Sequence, residues 1–241
     1  AVDSSLSVLF LETLEGKPLV VVVSAAAHPT LLDSRDMRMS ADFPGEVTRR
    51  MESEYPGIVS LFLNGGAGDA RPKDSIGSNS QERIERFGTL LAEGAVGLVN
   101  QAKLKQSGDV AVWGGWMPLP PSQMRLGPIP IHPEIGRLIR PDSAFMHLVA
   151  LDEVLLIPLP AEVTTALAVG LKQQILQREL TPLVIGYTGG YLGYAVTAEE
   201  YRSGSYEASM TWYGPEFGQR LVNRVALLAR LYSDRVTKQR E

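Results

Sequence analysis

Pro18-Leu19-Val20-Val21-Val22-Val23-Ser24-Ala25-Ala26-Ala27-His28-Pro29-Thr30 is the stretch on which the reading of the fold turns. Its apolar run does not alternate with polar residues, which marks a strand covered on both faces and therefore central in a sheet. Residues 6–11 and the turn Glu15-Gly16-Lys17 precede it, so the two strands form a hairpin. The run ends in an imidazole beside a proline. In α/β sheets, binding sites gather at strand exits, which makes His28 a candidate for chemistry.

Working outward, a helix is expected to start near Pro44, with Asp42 as its cap, and to run to Tyr55. Residues 58–63 form an apolar strand, and Asn64-Gly65-Gly66-Ala67-Gly68-Asp69 is a glycine-rich loop at its end. Over residues 80–104, Ile84, Phe87, Leu90, Leu91, Val96, Leu98 and Val99 recur at near-helical spacing and predict the longest helix of the chain. Residues 110–116 read as a strand. Residues 117–141 carry Pro118, Pro120, Pro121, Pro128, Pro130, Pro133 and Pro141, too many for regular structure, and read as a long ordered excursion.

A second hairpin is expected over 145–151 and 154–157, turning at Asp152-Glu153, then a helix over 161–178 with Leu167, Leu171 and Ile175 on one face. Residues 181–187 form a strand, and a last helix over 215–232 is followed by a charged tail. Hairpins mixed with strand-to-helix steps give the α/β class: a mixed sheet with flanking helices, in a single domain over residues 1–241.

Composition narrows the function. With 23 basic against 27 acidic residues the formal charge is -4, and no basic run is long enough to track a phosphate backbone, so nucleic acid is not an expected partner. The absence of cysteine removes thiolate metal sites and cysteine nucleophiles, leaving imidazole, carboxylate, phenolate and water for any metal. No stretch approaches the roughly 20 apolar residues that span a bilayer. The first residues lack the regions of a signal peptide, and the chain opens almost at once into a strand, which reads as a piece of something longer.

His28, Glu162 and Tyr194 each sit in a short motif of their own and together offer one nitrogen and two oxygen ligands, a set that suits zinc. Each also has an ordinary reading: a hydrogen-bonded loop histidine, a helix-first-turn carboxylate, a half-buried aromatic. The glycines of residues 64–69 allow positive φ, and their free N–H groups suit an anion or an oxyanion, although Asn-Gly is equally a turn signal. The spacing fits neither a phosphate-binding loop nor a dinucleotide fingerprint, and Gly-x-Ser-x-Gly is missing. His132 and His147 read as structural.

Several segments, in this order, resemble the neutral, non-lysosomal ceramidase family of zinc-dependent amidases. They are Ala27-His28-Pro29-Thr30, Ser40-Ala41-Asp42-Phe43-Pro44-Gly45, Asn64-Gly65-Gly66-Ala67-Gly68-Asp69, Leu159-Pro160-Ala161-Glu162-Val163-Thr164-Thr165, and Gly193-Tyr194-Ala195-Val196-Thr197-Ala198-Glu199-Glu200-Tyr201 with Ser205-Tyr206-Glu207-Ala208. The resemblance implies part of a larger ceramidase-like catalytic domain. It implies Zn2+ bound by His28, Glu162 and Tyr194, with Tyr206 contacting a small-molecule or lipid N-acyl substrate. Tyr206 and Asp69 are catalytic candidates and Asn64, Gly65 and Tyr206 substrate-binding ones, while Arg71, where the chain departs from the family, is a catalytic candidate of its own. Bound zinc would lower the pKa of a water towards 7 and polarise the amide carbonyl, while Tyr206 and the loop amides stabilise the oxyanion.

Two departures accompany the resemblance. The family's fourth zinc ligand lies in a His-x-His-Ser-Gly-Pro segment upstream of the His-Pro strand, and this chain has none. The expectation is therefore a C-terminal portion that associates with an absent N-terminal portion, or a relative that has lost the metal. Where the family continues Gly-Asp-x-Ser-Pro, this chain has Gly68-Asp69-Ala70-Arg71-Pro72. Arg71 cannot replace a serine nucleophile, but it can pair with a carboxylate or phosphate, which favours an N-acyl or ester compound other than ceramide. The alternative to a hydrolase is a non-catalytic, ceramidase-like binding domain. The family resemblance suggests a secreted or cell-envelope setting.

Overall fold

The computed structural model describes residues 2–33, 35–73, 76–106, 109–126 and 129–240, with Pro128 outside the described residues. The chain forms two compact units, one of Ser4–Asn64 with Ala70–Gln106 and one of Ala1–Asp3, Gly65–Asp69 and Ser107–Glu241. Each contains a mixed sheet with helices against it, which is the expected α/β class built on two sheets and not on one.

In the first unit, β1 (Leu6–Glu12) and β2 (Pro18–Ala25) pair antiparallel as the expected hairpin. α1 (Asp42–Glu54) leads to β3 (Val59–Asn64), parallel to β2, and α2 (Ser80–Gln101) follows. The order β1-β2-β3 makes β2 central, and Val21, Val22 and Val23 are buried, as their apolar run requires. Phe43 joins helices to sheet: its ring meets those of Phe62 at 5.5 Å and Phe87 at 4.8 Å, both edge to face.

The α2 seam differs from the one its large residues suggest. Leu90 and Leu98 are exposed, whereas Ile84, Gly88, Ala92 and Ala95 are buried. A Cβ on Gly88 would stand 2.6 Å from the Glu46 side chain of α1, so small residues centre the contact because the helices are too close for large ones.

The helix α1 begins at Asp42, two residues before Pro44. Asp42 has φ 52° and is buried; its carboxylate accepts from the N–H groups of Phe43 at 2.7 Å, Leu31 at 2.8 Å and Leu32 at 2.9 Å. Asp42 is thus the first residue of the helix and not its cap, which falls at Ala41 without a side-chain cap bond; the Asp42 carboxylate instead ties down the loop that follows His28.

The second unit holds β4 (Val110–Pro118), β5 (Arg125–Leu126), β6 (Ile129–Pro130), α3 (Pro133–Ile139), β7 (Ser143–Leu151) and β8 (Val154–Pro158). β9 (Glu162–Val163), α4 (Thr165–Leu176), β10 (Thr181–Ile185), β11 (Tyr194–Ala195), α5 (Ala198–Ser203), α6 (Tyr206–Ser209) and α7 (Phe217–Arg240) complete it. The main sheet has the order β10-β8-β7-β4, with β10 parallel to β8 and the other pairs antiparallel. Leu167, Leu171 and Ile175 of α4 are buried in one core with Phe217, Leu221 and Val225 of α7.

Two helix lengths depart from expectation. α7 has 24 residues and α2 has 22, so the last helix exceeds α2: the charged tail contains no glycine or proline to stop it and continues the helix. α4 starts at Thr165 because Glu162 and Val163 are taken into a strand pairing.

The proline-rich excursion is ordered, and it is more regular than its composition suggests. β5 and β6 form a short antiparallel pair, and Pro133 opens α3 where a missing N–H costs nothing, with His132 Nδ1 accepting from the Glu134 N–H at 3.3 Å. The excursion is fastened by the Tyr213 hydroxyl, which donates to the Pro141 carbonyl at 2.8 Å, and by the Gln123 N–H, which donates to the Trp212 carbonyl at 2.7 Å.

Tyr213 is 1% exposed, and burial pushes its phenol up to about 12, against the lowering influence of Arg140. The sign follows: a folded pKa above the unfolded value of 10.0 gives stability that is complete below pH 10 and lost as pH rises through about 12. Tyr213→Phe should cost about 1 kcal/mol at neutral pH. In urea melts the variant should lose less stability than the wild type over that alkaline window.

Candidate active site

The site is assembled by a parallel pairing of only two residues on each side. β9 and β11 pair with Glu162 opposite Tyr194 and Val163 opposite Ala195. In a parallel ladder, opposed residues point to the same face, and neighbouring strands lie about 4.8 Å apart, so the pairing brings carboxylate and phenol together. Backbone bonds extend it: Glu162 N–H donates to Gly193 at 3.0 Å, Leu192 N–H to Pro160 at 2.7 Å, and Thr188 N–H to Leu159 at 3.0 Å. The segment after β10 is thereby laced along the segment after β8.

That lacing forces an unusual backbone. Gly189, Gly190 and Gly193 have φ of 80°, 147° and 77°, and Tyr187 adopts a left-handed φ of 57°. A large residue held there carries a steric cost that the surrounding hydrogen bonds offset, a pattern that concentrates at functional sites. The strain aims the Tyr187 hydroxyl at the Glu162 carboxylate, 3.4 Å away. The Tyr191 hydroxyl donates to the other carboxylate oxygen, and Tyr194 also hydrogen-bonds Glu162.

Glu162 is 8% exposed, so its carboxylate is withdrawn from water and solvated by phenols. The phenols of Tyr187, Tyr191 and Tyr194 are all pushed well above the ordinary tyrosine range, by burial first and then by hydrogen bonding to Glu162 and its charge. Tyr206, exposed at the start of α6, sets its ring edge to face on that of Tyr194 at 5.9 Å. Glu162, Tyr194 and Tyr206, all anticipated from sequence, therefore form one cluster. Tyr187 and Tyr191 were missed; the glycine pair between them was the available signal, since it marks a turn tight enough to fold both rings back.

The glycine loop serves packing. None of its glycines has a positive φ, contrary to the expectation for residues 64–69. A Cβ on Gly66 would lie 2.3 Å from Ala168 Cβ, and one on Gly68 would lie 2.9 Å from the Glu162 carbonyl. Close approach is what glycine provides here. The Gly68 N–H donates to the Val163 carbonyl at 2.9 Å, which commits that amide to holding β9 in place.

Asp69 is similarly engaged. Its Oδ1 accepts from the Thr165 N–H at 2.6 Å and the Thr165 hydroxyl at 2.7 Å. Thr164 gives α4 no side-chain cap, so a carboxylate 96 residues away supplies it, satisfying an orphan donor and meeting the positive end of the helix dipole. Thr164 instead donates to Glu200, which also accepts from the Thr197 N–H in the capping box of α5. Gly65 opens this loop.

His28, Asn64 and Arg71 belong to the other unit. His28, half-buried, follows β2; its N–H donates to the Ala70 carbonyl at 2.8 Å, and the Ala27 N–H donates to Asn64 Oδ1 at 3.3 Å. Asn64 thus orders the strand exit that presents His28. Arg71 is exposed.

Among the described residues, no three His, Cys, Asp or Glu side chains gather as a metal-holding group. The expected donor set does not require that, because it includes a phenol. A buried carboxylate in direct hydrogen bond with a phenol offers two oxygen ligands, which fits a divalent cation such as zinc.

Two measurements check these assignments. Gly66→Ala should destabilise by about 1–3 kcal/mol through overpacking, whereas Gly170→Ala in α4, with open space at its Cβ, should stabilise by about 0.5–1 kcal/mol. Asp69→Ala should lower stability by about 1–2 kcal/mol as a lost cap, read from denaturant midpoints.

No family model and no curated protein matches this sequence. Solved structures do. The crystal structure of neutral ceramidase from Pseudomonas aeruginosa matches with a TM-score of 0.80 at 17% identity, over 97% of this chain and 47% of that one. A ceramidase complexed with C2 matches with a TM-score of 0.82 at 16% identity, over 97% of this chain and 48% of that one. The chain spans about half the length of both structures. At such identity the likeness is one of fold. This chain therefore has the α/β fold of part of a neutral ceramidase, with mixed sheets flanked by helices.

Proposed function

We propose that the chain is part of a zinc-dependent hydrolase of the ceramidase type that cleaves an N-acyl amide bond. The observation that carries this reading is the buried Glu162 carboxylate ringed by the phenols of Tyr187, Tyr191 and Tyr194, within a ceramidase-like fold. His28, Glu162 and Tyr194 are the ligands we assign to the metal. Bound zinc supplies Lewis acidity, polarising an amide carbonyl and making a water molecule more acidic.

The protein's own groups then have defined tasks. Tyr187 and Tyr191 donate to the Glu162 oxygens and fix the orientation of that carboxylate. Tyr194 holds its proton towards Glu162, and release of that proton turns its oxygen into a donor of electron pairs. Tyr206, exposed beside Tyr194, offers a hydroxyl to the oxyanion that develops on the amide oxygen. A water route needs no serine, so Arg71 in the family's serine position is compatible with it.

The second reading, a non-catalytic binding domain on the same scaffold, is favoured by Asp69, whose carboxylate is committed to capping α4. Elemental analysis with an N-acyl amide assay separates the two. The hydrolase should carry zinc, and His28→Ala, Glu162→Ala and Tyr194→Phe should each lose metal together with turnover. Tyr191→Phe, which removes only a partner of the ligand, should lower metal affinity or activity by roughly 10- to 100-fold. Hydrolysis that persists in metal-free protein rules out the zinc route, and zinc-loaded protein without turnover favours the binding domain.

A further inference from the structure

Beside the tyrosine cluster lies a cavity of about 590 Å³ that the proposed reaction leaves unused. Its wall includes Gln123, Arg125 from β5, Tyr201 and Arg202 from α5, Ser209 from α6, and Thr211. Among the described residues, both charged side chains in that wall are arginines and no carboxylate lines it. Thr211 is 4% exposed, and its hydroxyl has no hydrogen-bond partner among the described residues. A buried hydroxyl left in that state is destabilising, and a ligand oxygen in the cavity would relieve it.

The cavity adjoins the site through the backbone. Thr211 forms a β-bridge with Gly193, and the Met210 carbonyl accepts from the Tyr194 N–H at 3.4 Å. The helix α6, which carries Tyr206 on Tyr194, supplies Ser209 to the cavity wall. The cavity wall and the strand that carries Tyr194 are therefore backbone neighbours.

We infer that the cavity is an anion subsite which selects N-acyl substrates carrying an acidic group, a carboxylate or a phosphate. The inference rests on the hydrolase reading and names its substrate class. Two guanidinium groups recognise an oxyanion through planar, charge-assisted hydrogen bonds, with Gln123 and Thr211 as neutral donors beside them. Arg202 Nε donates to the Ala198 carbonyl at 3.0 Å, which steadies the side chain on α5.

The test uses the full chain, an N-acyl glycine, the matching N-acyl ethylamine without the carboxylate, and inorganic phosphate. Wild type should prefer the acidic amide on the order of ten- to a hundredfold in kcat/KM, through KM, and phosphate should compete with that amide alone. Arg125→Ala with Arg202→Ala should abolish the preference, Thr211→Val should reduce it, and Arg202→Lys, which keeps the charge, should retain most of it.

Equal cleavage of both amides by both proteins overturns the subsite and leaves the hydrolase reading intact. If neither amide is cleaved, but N-acyl glycine binds wild type more tightly than the double variant, the subsite stands and the hydrolase reading falls. Phosphate binding without discrimination between the two amides marks a free-anion site and overturns the substrate assignment.

Discussion

The parallel pairing of Glu162 with Tyr194 is the constraint on which the rest of the site depends. A pairing this short cannot sustain itself, because a few ladder bonds do not offset the cost of ordering the segments that carry them. It persists because three other parts of the chain hold its edges. The glycine loop docks on the Val163 carbonyl, the residues after β10 are laced to those after β8, and the helix α4 begins immediately after β9 under the Asp69 cap.

This arrangement accounts for a buried carboxylate that would otherwise be destabilising. A carboxylate withdrawn from water needs compensating donors, and the phenols of Tyr187, Tyr191 and Tyr194 are among those of Glu162. Phenols orient a carboxylate through directed hydrogen bonds. The left-handed backbone of Tyr187 is the steric consequence of folding that ring back onto Glu162.

The cluster and the cavity beside it differ in what the two proposals ask of a ligand. The proposed metal belongs to Glu162 and its phenols, whereas the proposed anion belongs to the cavity lined by Arg125 and Arg202. Both depend on the backbone of residues 193–194 and 210–211, whose pairing fixes the spacing between them.

The sequence by itself determined the α/β class, the central place of the valine-rich strand, the hairpins and the buried stripe of α4, because apolar periodicity and turn residues act over short distances. It also marked Glu162, Tyr194 and Tyr206 through their short motifs. Only the tertiary structure decided that Glu162 lies in a strand, that the loop glycines serve close packing, and that Asp69 caps a helix far along the chain. Tyr187 and Tyr191 joined the cluster for the same reason. Pairing register, steric contact between distant segments and long-range capping depend on which surfaces meet in space, and local pattern does not encode that.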